Sequence, residues 1–129
     1  MIYLASPYTD KNPAVCCDRV LAACHAAHRL MESGAIVFSP VVHSSAICGV
    51  TKAPTGHKFW MPQCRAMLTL SDSMTILLLP GWCKSKGIKQ EVIWAAYNAI
   101  RVRHLKPELI VPQQILWRLR KAEEKRGTA

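Results

Sequence analysis

Acidic residues are scarce in this chain. Eight Asp and Glu stand against 17 Lys and Arg, which gives a formal net charge of +9. Such an excess of positive charge argues for an anionic partner, because nucleic acid, an anionic membrane surface and a phosphorylated small molecule would each be attracted by it. Composition alone does not choose among these three partners.

Segments typical of several other protein classes are missing. No apolar run approaches the length of a membrane span and no basic stretch precedes an apolar one near Met1, so we expect a soluble, cytoplasmic protein without a membrane partner. The six cysteines contain no C-x-x-C pair, which favours reduced thiols over a disulfide framework. His25 and His28 share a predicted helix but have no third ligand at suitable spacing, so we expect no metal.

Two nucleotide-binding motifs are also missing. Neither G-x-x-x-x-G-K-[ST] nor G-x-G-x-x-G occurs in the glycine-containing segment 80–91. ATP hydrolysis and hydride transfer therefore lose support, and we expect no cofactor.

The length and apolar content predict one domain over residues 1–129. A chain of 129 residues that is 50% hydrophobic can form one compact core but not two of ordinary size. Short apolar strands alternate with helical segments, and this order predicts an α/β fold with a parallel sheet covered on both faces. The predicted strands are 2–5, 35–39, 73–79 and 109–111; the predicted helices are 13–33, 59–70, 84–104 and one from 112 that frays into a basic tail over 120–129.

Polar side chains follow each of the first three predicted strands. They are Ser6 and Tyr8, then a loop containing His43, then the segment 81–91. Ligands of parallel sheets bind beyond the carboxyl ends of the strands, so these residues are candidates for substrate contacts. Arg19 is a further candidate, since its helix follows the first strand. Each also has a plain alternative as an ordinary turn, loop or surface residue.

The segment after the third strand predicts an anion site. A strand, a short loop and a helix start present free backbone N–H groups and a partial positive charge, with Ser85, Gly87 and Ile88 as the expected donors. Glu91 lies about 6 Å further along the helix, a separation on the scale of that between a nucleotide's 5′-phosphate and C1′. We expect the helix N-terminus to keep Glu91 ionised, as a nucleophile must be. The alternatives are an ordinary helix cap and a solvated charge.

Four segments together resemble the nucleoside 2-deoxyribosyltransferase superfamily. The resemblance covers roughly residues 1 to 111, and more narrowly it is to small bacterial and phage proteins of unassigned function. The matching segments are IYLASPY at 2–8, FSP at 38–40, PGW at 80–82 and S-x-G-I-x-x-E at 85–91.

The resemblance implies a flavodoxin-like three-layer sandwich with a mostly parallel, five-stranded sheet in a homodimer or larger homo-oligomer. It also implies cleavage of an N-glycosidic bond with Glu91 as the nucleophile and Tyr3 orienting it. Ser85 stands where related nucleotide N-hydrolases have Ser and nucleoside transferases have Asp. A hydroxyl accepts a phosphate that a carboxylate would repel, so we expect hydrolysis of (deoxy)nucleoside 5′-monophosphates.

One residue departs from the family pattern. Cys64 stands eight positions before Asp72, where relatives have an Asp that contacts the substrate. A neutral thiol accepts sugar hydroxyls less strongly, which predicts altered substrate choice or weakened activity.

Three other functions stay open. The first is a nucleoside 2′-deoxyribosyltransferase, and the second is a nucleotide-binding module that has lost turnover. Independently of which function holds, Trp60 and Trp94 are candidates to stack on a base, with core or a subunit interface as the alternative. The third is a nucleic-acid accessory role for the basic tail, which is disfavoured because such tails are usually solvated.

Overall fold

The computed structural model describes residues 1–127 of the chain. Over this range the chain alternates between strands and helices, with a short 3₁₀ turn at Trp82–Lys84. In chain order the elements are β1 Ile2–Ala5, α1 Pro13–Glu32, β2 Val37–Phe38, α2 Pro40–Val50, α3 His57–Thr69, β3 Ser73–Leu77, α4 Lys86–Tyr97, β4 Arg101–Leu105 and α5 Gln113–Gly127.

The strands form one parallel sheet in the order β2-β1-β3-β4. The fold is therefore α/β and Rossmann-like, as predicted, but the sheet formed by residues 1–127 has four strands rather than five. The chain passes from β1 to its neighbour β2 on one side, and then crosses back from β2 to β3 on the other side of β1. The crevice between β1 and β3 is thus the switch point at which such sheets bind ligands.

Helices cover both faces of the sheet, and side chains of β1 and β3 alternate between two cores. Leu4 and Leu77 point toward α1 and α5, while Tyr3 and Met74 point toward α3 and α4. All four side chains are fully buried. The second core is the one from which the site described below is built.

The predicted helix 84–104 is wrong at its C-terminal end. α4 stops at Tyr97, the backbone reverses at Ala99 with φ of 54°, and β4 follows. Buried and exposed side chains alternate here as in a strand: Val102 packs on the core, while the arginines on either side of it are exposed. The predicted strand 109–111 is also wrong, because it forms a turn in which the N–H of Val111 donates to Pro107 O at 2.9 Å.

The loop predicted after β2 is helical. Ser39 caps α2 by accepting a hydrogen bond from the N–H of Val42 at 3.2 Å, and Pro40 occupies the first helical position. A serine followed by proline is a helix-start signal, and it places His43 on a helix rather than in a loop.

The basic C-terminal segment does not fray at 120. α5 continues to Gly127, and residues 128–129 lie outside the described part. Its apolar side packs on α1. Arg118 makes a bidentate ion pair with Asp18 of α1, with Nε donating to Oδ2 at 3.0 Å and Nη2 donating to Oδ1 at 2.9 Å. Tertiary packing therefore holds a helix that its own composition would leave weak.

Three further findings concern the described residues. Among residues 1–127 no helix is long and apolar enough to cross a membrane. Within the same range no group of three His, Cys, Asp or Glu side chains is arranged to hold a metal ion. All six cysteines are free thiols.

Candidate functional site

A cavity of about 620 Å³ opens at the carboxyl ends of β1 and β3. Its size lies in the range of small-molecule sites. The loop after β1, the first turns of α2 and α3, and the loop that leads into α4 all contribute to its wall. Most of the predicted site residues line it: Ser6, Tyr8, Arg19, Cys64, Ser85, Gly87 and Glu91.

Glu91 lines this cavity and pairs with Tyr3, which lies in the core behind it. Glu91 is 8% exposed and lies on the face of α4 that packs on the sheet, where the hydroxyl of the fully buried Tyr3 donates a hydrogen bond to Glu91 Oε2. The predicted pairing of these two side chains, which are far apart in the chain, is present in the structure. The other carboxylate oxygen, Glu91 Oε1, takes no part in this hydrogen bond.

Burial raises the pKa of Glu91 to about 7, while the Tyr3 hydrogen bond opposes that rise. The prediction that the helix N-terminus keeps Glu91 ionised is therefore wrong below neutral pH. Glu91 lies past the first turn of α4, where the helix dipole has faded, so desolvation outweighs it. Ionising this carboxyl requires a pH near or above 7.

Cys64 lies beside the same tyrosine. Burial raises the pKa of the Cys64 thiol, and the charge of Glu91 raises it further, so this group is a neutral thiol. Burial also raises the pKa of Tyr3, as does the neighbouring Glu91 charge. The interaction with Tyr3 opposes the rise in the pKa of Cys64 without outweighing burial. Cys64 also lines the cavity, so a neutral thiol lies next to the Tyr3–Glu91 pair.

The raised pKa of Glu91 predicts a stability gain on neutralising it. The folded protein keeps a proton that the unfolded chain releases near the ordinary value of 4.5. The stability that this proton contributes is complete below that value and is lost as pH rises through about 7. We expect Glu91→Gln to raise the free energy of unfolding by about 3 kcal/mol at about pH 8, and by little at about pH 4.

Urea denaturation of both proteins across this pH range measures the effect. Glu108→Gln, which neutralises an exposed surface carboxylate, is the matched control and should show no such growth with pH. A Glu91→Gln difference that stays constant with pH would contradict the assigned pKa.

The start of α4 leaves two backbone donors open. Ser85 caps the helix, with its Oγ accepting from the Ile88 N–H at 3.3 Å and its carbonyl accepting from the Lys89 N–H at 3.1 Å. The prediction that the Ile88 N–H is a free donor is therefore wrong, and the side chain of Ile88 is buried. The N–H groups of Lys86 and Gly87 have no partner within a helix at these positions, and both residues line the cavity.

Arg19 is a buried cation of the cavity wall. It is 4% exposed, and its Nη1 donates to Thr9 O at 2.9 Å and to Tyr8 O at 3.4 Å. Burial lowers the pKa of Arg19, although an arginine side chain stays protonated. Of the buried side-chain N and O atoms described, only Arg19 Nε and Ser6 Oγ lack a hydrogen-bond partner. Both belong to cavity residues, and buried polar atoms without partners need an explanation such as a ligand.

Of the other predicted contact residues, Trp60 lines the cavity, whereas His43 and Trp94 do not. His43 does not line the cavity; its ring packs between those of Phe38, at 5.3 Å, and Trp60, at 6.2 Å. Trp60 does line it, as a base-stacking residue would. Trp94 lies elsewhere, under the guanidinium of Arg65 at 4.9 Å.

Among the cavity residues that were missed from the sequence are His57, Lys84 and Arg126. His57 begins α3 and lies against Gly87, where a Cβ would be 3.7 Å from its Cε1, and its ring bonds to Gln90. A histidine in a segment predicted as loop carries no local signal of this contact. Lys84 and Arg126 also line the cavity, and Arg126 comes from the segment predicted as a solvated tail.

Comparison with known proteins adds one relationship. No curated protein matches the chain. A family model described as "Domain of unknown function (DUF1937)" matches residues 1–107, so α5 lies outside the matched part. Because this match spans most of the chain, the protein belongs to the DUF1937 family.

Proposed function

We propose that this protein is an N-glycosidase that hydrolyses (deoxy)nucleoside 5′-monophosphates with Glu91 as the nucleophile. One observation carries the proposal: a buried carboxylate held by Tyr3 shares a cavity with the open N-terminus of α4. The two features lie about 6 Å apart along the helix axis. A nucleotide with its phosphate at Gly87 would bring C1′ to Glu91.

The chemistry follows from the two oxygens of Glu91. Tyr3 holds Oε2, so Oε1 attacks C1′ as the bond to the base breaks; the electron pair leaves with the base, which takes up a proton from water. Water then opens the glycosyl ester and returns the carboxylate. A buried anion stabilises the positive charge that develops on the sugar more strongly than a solvated one would.

The phosphate end is built from donors. The Lys86 and Gly87 N–H groups and the Ser85 hydroxyl would donate to a phosphate at the start of α4, and Arg19 adds a buried positive charge. Position 85 carries a hydroxyl rather than a carboxylate. A carboxylate would repel a phosphate, so Ser85 favours a 5′-monophosphate over a nucleoside with a free 5′-hydroxyl. The strand order β2-β1-β3-β4 also agrees with the flavodoxin-like architecture that belongs to this proposal.

Homo-oligomer formation is part of the proposal. The outer face of α3 and α4 exposes Phe59, Ile93 and Tyr97, which are 50%, 57% and 84% exposed. Large apolar side chains in one region mark association surfaces. Sedimentation equilibrium measures the state directly, and a monomer at all concentrations would remove this part.

Base release from a panel of ribo- and deoxynucleoside 5′-monophosphates tests the function, with and without a second free base. We expect free base and sugar 5-phosphate, at a rate that rises with pH and levels off above about 7, where Glu91 is ionised. A new nucleoside in the presence of the second base would instead identify a deoxyribosyltransferase. Tight binding without base release would identify a nucleotide-binding module. Cys64→Asp would then be the first substitution to test for a gain of base release.

A further inference from the structure

α5 reaches the cavity although it lies outside the residues that the family model matches. Its apolar side packs on α1 through Ile115, Leu116 and Leu119, all less than 10% exposed. This packing carries the last turns of the helix over the loop after β1. Arg126 lines the cavity there.

Ion pairs fix the side chains at this end of the cavity. Glu123 Oε1 accepts a hydrogen bond from Lys84 Nζ at 2.9 Å, and its Oε2 lies 3.5 Å from Arg126 Nη1. Arg126 Nη2 also pairs with Asp10, whose side chain is only 7% exposed. Lys84 directly precedes Ser85, the residue that caps α4, and Lys84, Ser85 and Arg126 all line the same cavity.

A glycine makes room for this arrangement. Gly81 has φ of 85°, and a Cβ there would lie 3.0 Å from Glu123 Oε2 and 3.1 Å from Arg19 Nη2. Arg19 and Glu123 therefore approach the same turn from two helices. A side chain at this turn would be strained at this φ and would displace the ends of Arg19 and Glu123.

The charges at this end leave an excess of positive charge. Arg19, Lys84 and Arg126 face the carboxylates of Asp10 and Glu123, and the N-terminus of α4 adds further positive potential. The Nε of Arg19, in a side chain 4% exposed, has no partner. Arg126 retains donors beyond those that its two carboxylates take, because a guanidinium has five N–H groups. Such a cluster suits a dianion.

We infer that Arg126 is a specificity-determining residue that recognises the phosphate of the substrate, so that α5 adds phosphate recognition to the family domain. The inference rests on the proposed function for the identity of the substrate. It assigns Glu123 a positioning role toward Lys84 and Arg126.

Comparing a monophosphate with its nucleoside tests this role. We expect Arg126→Gln to lower kcat/KM for a deoxynucleoside 5′-monophosphate about 10-fold, through KM, because one charge-assisted contact is lost. The same variant should leave kcat/KM for the corresponding deoxynucleoside unchanged. Arg126→Lys, which keeps the charge but not the fork, should recover part of the loss.

Arg120→Gln is the matched control, since Arg120 lies on the same helix, pairs with Glu108 at 3.4 Å and does not line the cavity. It should alter neither substrate. Equal losses on both substrates in Arg126→Gln would show a purely structural tether and overturn the inference, as would no loss at all.

The two proposals fail separately. If the wild-type protein releases no base, the proposed function fails, and titration calorimetry of the same monophosphate against wild type and Arg126→Gln still decides the inference. Binding weakened about 10-fold in the variant would support it. Equal binding, or no binding to the wild type, would overturn it.

Discussion

Glu91→Gln should abolish base release, lowering kcat at least about 1,000-fold. An amide oxygen is too weak a nucleophile to form the glycosyl ester, and no other carboxylate among the described residues shares this position beside Tyr3. Because the start of α4 is unchanged, the variant should still bind monophosphates. Base release by chromatography and binding by calorimetry measure the two effects separately.

The covalent intermediate offers an independent check. A 2-fluoro-2-deoxynucleoside 5′-monophosphate slows the second step of a retaining mechanism, so mass spectrometry should find the sugar phosphate on the peptide that contains Glu91. Glu108→Gln serves again as the surface control and should keep wild-type turnover. Wild-type rates in Glu91→Gln would exclude Glu91 as the nucleophile.

Ser85→Asp should lower kcat/KM for monophosphates about 100-fold, equivalent to about 3 kcal/mol. A carboxylate at this position would face the phosphate dianion near the open N–H groups of Lys86 and Gly87. Aspartate caps a helix as well as serine does, so α4 should keep its start. The corresponding nucleoside, which has no phosphate, should lose far less.

Ser85→Asn is the matched variant, because asparagine also caps helices and has nearly the size of aspartate without its charge. It should keep most of the activity on monophosphates. Equal losses in Ser85→Asp and Ser85→Asn would attribute the effect to shape, and the phosphate would then have to bind elsewhere in the cavity.

Much of the fold was predictable, and the errors have specific causes. β1, the length of α1 and the core of β3 follow from apolar runs bounded by Pro and Gly. β4 was missed because the helical spacing of apolar residues was continued through Ile100. The end of α4 is marked only by the backbone reversal at Ala99, which the sequence does not signal. α2 was missed although Ser39 and Pro40 carried a start signal.

The sequence by itself determined that polar side chains would gather where β1 and β3 end, and that Ser85, Gly87 and Glu91 would lie within the cap and first turns of one helix. Both follow from local spacing, which neighbouring residues set. Only the tertiary structure decided how deeply Glu91 is buried, and hence its raised pKa, because desolvation depends on every element packed around a group. It also decided that Arg126 reaches the cavity, since α5 is placed there by packing on α1, a contact between distant segments that no local pattern encodes.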